Sequence, residues 1–120
     1  MFAHRHTVFA ASAVLFIGAA AYHLYGLIAS LADPRLTAFH AAFVVIDLVT
    51  AYFLLRRPDW FPYAFAVLTL QQIYSHGTEA LIAWRASAVI DYVSLIIILL
   101  MPSLLVLLVY DALIRKSRAS

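Results

Sequence analysis

Cysteine is absent from this chain. That removes disulfides, thiolate metal sites and thiol redox chemistry. Three glycines and four prolines in 120 residues leave no room for a flexible linker or a low-complexity segment. Charge is scarce as well. Asp, Glu, Lys and Arg make up 12% of the chain, about half the share of a soluble domain. Apolar residues fill the gap, at 66% of the sequence with a mean hydropathy of +0.96. A soluble fold of this size cannot hide so much apolar surface, because a small domain buries too little of its chain. Lipid is the solvent that fits. A net charge of +2 and a pI near 9.2 would suit a nucleic-acid binder. The basic residues stand instead at the ends of apolar runs, the pattern of membrane orientation, so nucleic acid is not an expected partner.

About 20 apolar residues span the hydrocarbon as a helix, and four segments qualify. The expected fold is all-α, a single integral-membrane four-helix bundle over residues 1–120, with helices at about 7–31, 34–55, 60–84 and 87–114. Asp33-Pro34 reads as a cap followed by proline at the first helical position. Arg56-Arg57-Pro58-Asp59 breaks the chain, with Asp59 available to cap the third helix, and Ser87 is a plausible cap for the fourth. Pro102 should kink that last helix. Met1 to Ala21 also has the basic start and small residues of a cleaved leader, but the apolar run continues to Leu31, which favours a span.

Arg5, Arg56, Arg57, Arg115, Lys116 and Arg118 gather on one side, against only Arg35 and Arg85 on the other. The positive-inside rule then puts both termini and the middle loop in the cytoplasm, in a membrane read as a bacterial inner membrane. Trp60 and Trp84 fall at opposite interfaces, as an aromatic belt requires.

Against that background the ionisable residues inside the runs stand out: His23, His40, Asp47, His76, Glu79 and Asp91. Each costs several kcal/mol in hydrocarbon unless paired or wet, which makes each a functional-site hypothesis. Helical rise puts Asp91 and Glu79 roughly 6–8 Å from the outer ends, His40 at a similar or slightly greater depth, His23 and His76 about 12 Å, and Asp47 and Gln72 roughly 15–18 Å. All lie in the outer half, which suggests one polar pocket. Phase agrees. Gln72, His76 and Glu79 share a face, as do His40 and Asp47, His23 with Gly26 and Ser30, and Asp91 with Ser94. Tyr22, Tyr25, Tyr74 and Tyr92 lie near enough to donate hydrogen bonds. Asp91 also suits the first turn of a helix electrostatically. His4, His6 and Asp111 are read as surface residues without a role.

Two kinds of chemistry fit. His23, His40, His76 and Glu79 could hold a transition metal, since bundles build such sites from carboxylates and Glu-x-x-His pairs; two of the histidines could instead bind haem. Alternatively, Asp47, His76 and Glu79 could exchange protons with a lipid, shifting a double bond or closing a ring. His23, His40, Gln72, Tyr74, Asp91 and Tyr22 would then line the ligand, and no cofactor is needed.

Phe53-Leu54-Leu55-Arg56-Arg57-Pro58 ends one helix, Gln72-Ile73-Tyr74-Ser75 lies in the next, and Met101-Pro102 precedes Leu107 to Leu113 and a basic tail. With Tyr22-His23-Leu24 in the first helix, this succession resembles the EXPERA superfamily of emopamil-binding proteins and sigma-2 receptors, loosely over Phe16 to Lys116. The resemblance implies a sterol- or isoprenoid-type ligand within a helix bundle, with His23, Gln72 and Tyr74 carried over by position. Aligned on Pro102, Leu95 and Ile98 stand where the sterol-isomerase branch has asparagine and tryptophan. The expectation is therefore an EXPERA-like lipid-binding membrane protein, an isomerase or cyclase if it is an enzyme. A metal or haem protein and a small accessory subunit of a membrane complex are the alternatives. A second copy of the chain is a further admissible partner.

Overall fold

The computed structural model describes residues 2–120, with side chains from residue 4 onward. Among them are four helices and no strand: α1 (Phe2–Ala29), α2 (Pro34–Arg56), α3 (Phe61–Ser87) and α4 (Tyr92–Ala119). They form two compact units, Met1–Pro58 and Asp59–Ser120, each a helical hairpin. Among the described residues three helices are long and apolar enough to cross a membrane: His4–Ala29, Pro34–Arg56 and Tyr92–Ala119. The sequence reading expects four. α3 falls short because Gln71, Gln72, Ser75, His76, Thr78 and Glu79 interrupt its apolar run. α1 runs unbroken through Ala21, the end of the leader-like stretch, whose first residue lies outside the described residues.

In the first hairpin the α1–α2 turn is built as the sequence suggests. Asp33 caps α2, its carboxylate accepting from the Arg35 and Leu36 amides at 3.0 and 3.4 Å, with Pro34 supplying a helical φ at the start. The Thr37 hydroxyl donates to the Ser30 carbonyl at 2.6 Å and ties the turn to the end of α1. α2 ends where Pro58 forbids a helical predecessor. Arg57 takes the left-handed region at φ 48°, a strain of about 1–2 kcal/mol for a residue with a Cβ. Its own groups offset that cost. The amide donates to Phe53 O at 2.7 Å, the guanidinium donates to Leu54 O and to His6 Nδ1, and it lies 4.7 Å over the Phe9 ring.

His40, Asp47 and Leu54 recur every seven residues on α2, so one seam faces α1. α1 answers with Phe9, Ser12, Ala13 and Ala20, all buried. Most of these side chains are small, which lets two backbones approach closely, as helices packing in lipid require.

The second hairpin repeats the arrangement. Pro62, Thr69 and His76 recur at seven on α3, and Ser94, Met101 and Leu108 on α4. The ends differ from expectation. Asp59 does not cap α3; the cap position is Trp60, which makes no side-chain cap bond. Asp59 instead accepts from Arg115 at 3.5 Å. α3 continues through Ser87 and closes with Ala88 in the left-handed region, its amide turned back to Trp84 O. The cap of α4 is Asp91 rather than Ser87. Pro102 sits inside α4, as expected.

Candidate functional site

The six ionisable residues singled out by the sequence fall into two groups of three, one in each hairpin. In the first, His23 of α1 stands between two residues of α2. Its Nδ1 is 3.0 Å from His40 Nδ1, a hydrogen bond between two imidazoles. Its Nε2 is 3.9 Å from Asp47 Oδ2. The seven-residue repeat on α2 is what makes this possible, since it turns His40 and Asp47 toward the same partner helix two turns apart. The His23 ring is held by aromatic neighbours, stacked on Phe43 at 5.2 Å and edge-on to Tyr22 at 5.4 Å.

Two features make this group unusual. Asp47 is 5% exposed, and its Oδ2 is buried with no hydrogen-bond partner among the described residues. A buried polar atom without a partner costs about 1–3 kcal/mol, so it calls for an explanation. Gly26, one turn from His23, is the second feature. A Cβ there would lie 2.6 Å from His40 Cε1 and 2.8 Å from both ring nitrogens. The imidazole fills the space a side chain would occupy, and only glycine admits it.

In the second hairpin Ser94 is the hub, 1% exposed. Its hydroxyl donates to Asp91 Oδ2 at 2.6 Å, and the more distant Glu79 Oε2, at 3.4 Å, is the weaker acceptor. One hydroxyl carries one proton, so Ser94 Oγ accepts from His76 Nδ1 at 3.1 Å. The same nitrogen lies 3.2 Å from Glu79 Oε2. A Ser–His–acid triad needs serine and acid on opposite ring nitrogens. Here both meet Nδ1, so Ser94 is a hydrogen-bonded anchor and not an activated nucleophile.

Asp91 stands at the cap, outside the α4 span. The Ser94 hydroxyl first, then the Ser94 amide and the nearby His76, hold its carboxyl below the ordinary range. A depressed carboxyl stabilises the fold above its unfolded value near pH 4, and the contribution disappears as pH falls through the lowered value. Ser94→Ala removes the largest of these contacts. The variant is expected to have a lower thermal midpoint near pH 6 and to lose less of it on acidification, because its Asp91 carboxyl titrates closer to the unfolded value, read by thermal denaturation of purified protein between about pH 3 and 6. Superimposable pH profiles would show that the Ser94 hydroxyl does not hold the carboxylate.

The remaining candidates are placed elsewhere. Gln72 donates to Gln71 Oε1 at 2.6 Å rather than joining His76. Tyr22 and Tyr74 point outward, 68% and 78% exposed, as do Tyr25 and Tyr92. Conversely, Asp111 and His6 turn out to have partners. Asp111 is buried and accepts from Arg115 Nε at 3.0 Å, and His6 accepts from Arg57 at 2.9 Å. The Asp111–Arg115 spacing of four was the available signal.

The geometry bears on the metal and haem readings. Two axial nitrogens on one iron stand about 4 Å apart, with the porphyrin between them. His23 and His40, in contact at 3.0 Å, are too close for that. Two nitrogens on a tetrahedral metal are about 3.3 Å apart, which the pair could nearly meet. Asp47, however, lies at the other ring nitrogen of His23 and cannot share the same point. Among the described residues no three of His, Cys, Asp or Glu converge as a metal-holding group.

Fold and site together define an all-α, membrane-type protein with a histidine–carboxylate cluster in each hairpin. No protein-family model, no curated protein and no solved structure matches the chain.

Proposed function

We propose that this chain is a four-span membrane protein that handles protons inside the hydrocarbon and acts on a sterol- or isoprenoid-type ligand. Both termini and the middle loop face the cytoplasm of a bacterial inner membrane. α3 completes the set of spans, with His76 and Glu79 of its polar run meeting Ser94 of α4.

One observation carries the reading: a hydrogen-bonded histidine pair backed by a buried carboxylate oxygen that lacks a partner, within candidate spans. Ionisable groups are kept in hydrocarbon where they do chemistry or line a path. Carboxylate plus imidazole is the equipment of acid–base catalysis. His76, with Glu79 on its Nδ1, is a second such pair. The apolar surroundings and the likeness to the EXPERA pattern supply the ligand class. His23, Gln72 and Tyr74 are the positions that carry that likeness.

The test is mass spectrometry of the lipid that leaves the membrane with the purified protein, paired with elemental analysis. A stoichiometric isoprenoid or sterol-like lipid is expected. It should be lost from Asp47→Asn and His76→Ala proteins that retain wild-type helicity. Stoichiometric metal or a Soret band without such a lipid would overturn the ligand reading in favour of a metal or haem protein. Stable co-purification of a partner chain instead would make it an accessory subunit.

A further inference from the structure

His40 and Asp47 share a face of α2 but stand seven residues apart, about 10 Å of helical rise. Neither reaches the other directly. His23, reaching across from α1, meets both, with one ring nitrogen toward each. An imidazole with a partner on each nitrogen passes a proton by taking it on one side and releasing it from the other.

The partners also set the tautomers. Asp47 Oδ2, buried and lacking a donor, faces His23 Nε2. A hydrogen on that nitrogen is the one that meets the carboxylate. His23 Nδ1 is then bare and must accept, so His40 Nδ1 carries the hydrogen of the 3.0 Å bond. That leaves a lone pair on His40 Nε2. The 3.9 Å between His23 Nε2 and Asp47 closes to hydrogen-bonding distance with a ring tilt of about 1 Å.

We infer that Asp47, His23 and His40 form a directional proton relay, with His40 Nε2 as the exchanging atom and buried Asp47 as the store. A proton arriving at His40 Nε2 displaces the one on Nδ1 to His23 Nδ1. The hydrogen on His23 Nε2 passes to Asp47. Both rings finish neutral with their tautomers reversed, and the carboxylate becomes a carboxylic acid. His40 lies about 9 Å into α2 and Asp47 about 20 Å, so the relay runs from the loop end of the hairpin to mid-helix. Gly26 is its positioning residue, because the absent side chain lets the His40 ring reach His23. Tyr22 touches His23 with its ring edge and is otherwise exposed.

The relay rests on the proton-handling part of the function proposed above and not on its ligand. Its test therefore uses the full-length protein in lipid nanodiscs with no ligand added, and a missing ligand leaves both readouts intact. Nitrogen NMR of ¹⁵N-histidine protein at neutral pH is expected to show His23 and His40 in opposite tautomers, with scalar coupling across one N–H···N bond. Two histidines in the same tautomer, or no coupling, would overturn the relay in the unmodified protein. Infrared spectroscopy after an acid jump reads the store. A carboxylic-acid band should rise in the wild type and vanish in Asp47→Asn. It should rise at least about tenfold more slowly in His40→Phe and His23→Phe, as expected for removal of a positioned acid–base group. A band that survives Asp47→Asn, or rises at the wild-type rate in both histidine variants, shows that protons reach Asp47 by another way or not at all.

Discussion

Asp47→Val is expected to make the protein harder to unfold while abolishing its proton chemistry. Most substitutions of a buried residue destabilise. This one removes a carboxyl oxygen that is buried, mid-helix and without a hydrogen-bond partner. Valine fills a similar volume and asks for no partner. Removing such a penalty returns about 1–3 kcal/mol, and helix propensity hardly changes, since valine and aspartate rank together. The balance favours the variant. Thermal denaturation in detergent or nanodiscs gives the check. A loss of more than about 1 kcal/mol would mean that the contact with His23 is a true ion pair, since breaking a buried pair is strongly unfavourable. Proteins keep such locally unfavourable groups where function needs them.

Gly26→Ala carries the second large effect, and its sign depends on the residue opposite. A methyl group at this position would stand 2.6–2.8 Å from the His40 ring. The ring must leave, the 3.0 Å bond to His23 breaks, and overpacking of this kind costs about 1–3 kcal/mol. In a His40→Ala background the methyl has room. There Gly26→Ala should stabilise the helix by up to about 1 kcal/mol, the ordinary gain of alanine over glycine. Gly18 and Gly77 meet nothing within 4 Å and serve as controls, where the same change should be mildly stabilising. A double-mutant cycle on Gly26 and His40 reads the coupling. Additive effects would mean that the ring and the glycine are not in contact.

Much of this was open to reading from the chain. The apolar runs located all four helices to within a few residues at most ends. Asp33-Pro34 announced its cap because a short acidic side chain and a fixed φ are local chemistry. Helical phase put His40 and Asp47 on one face, and that face meets His23. What stayed hidden depended on register between helices, which phase alone does not set. Ser94 was visible only as a neighbour of Asp91. Its place against His76 follows from how α4 slides along α3. Asp59 is the expected cap of α3 and Asp91 a first-turn acid of α4, yet Arg115 takes the one and the Ser94 amide takes the other. Asp111 looked like a surface acid because nothing in one sequence marks the side of α4 that is covered. α3 was judged by length, and its polar run weakened it as a span by composition.

The seams of both hairpins rest on few side chains, mostly small ones in the first, while residues such as Val14, Leu15, Val67, Leu70, Ile96, Leu99 and Val106 face outward. One branched apolar residue serves as well as another on such a surface. Over evolutionary time it is free to drift, leucine for valine for isoleucine, with little consequence for packing. The pinned positions are few: Gly26, His23, His40 and Asp47 in one hairpin, and His76, Asp91 and Ser94 in the other. Descendants of a common ancestor would thus keep a sparse cipher of spacings while the rest of their text diverged beyond recognition.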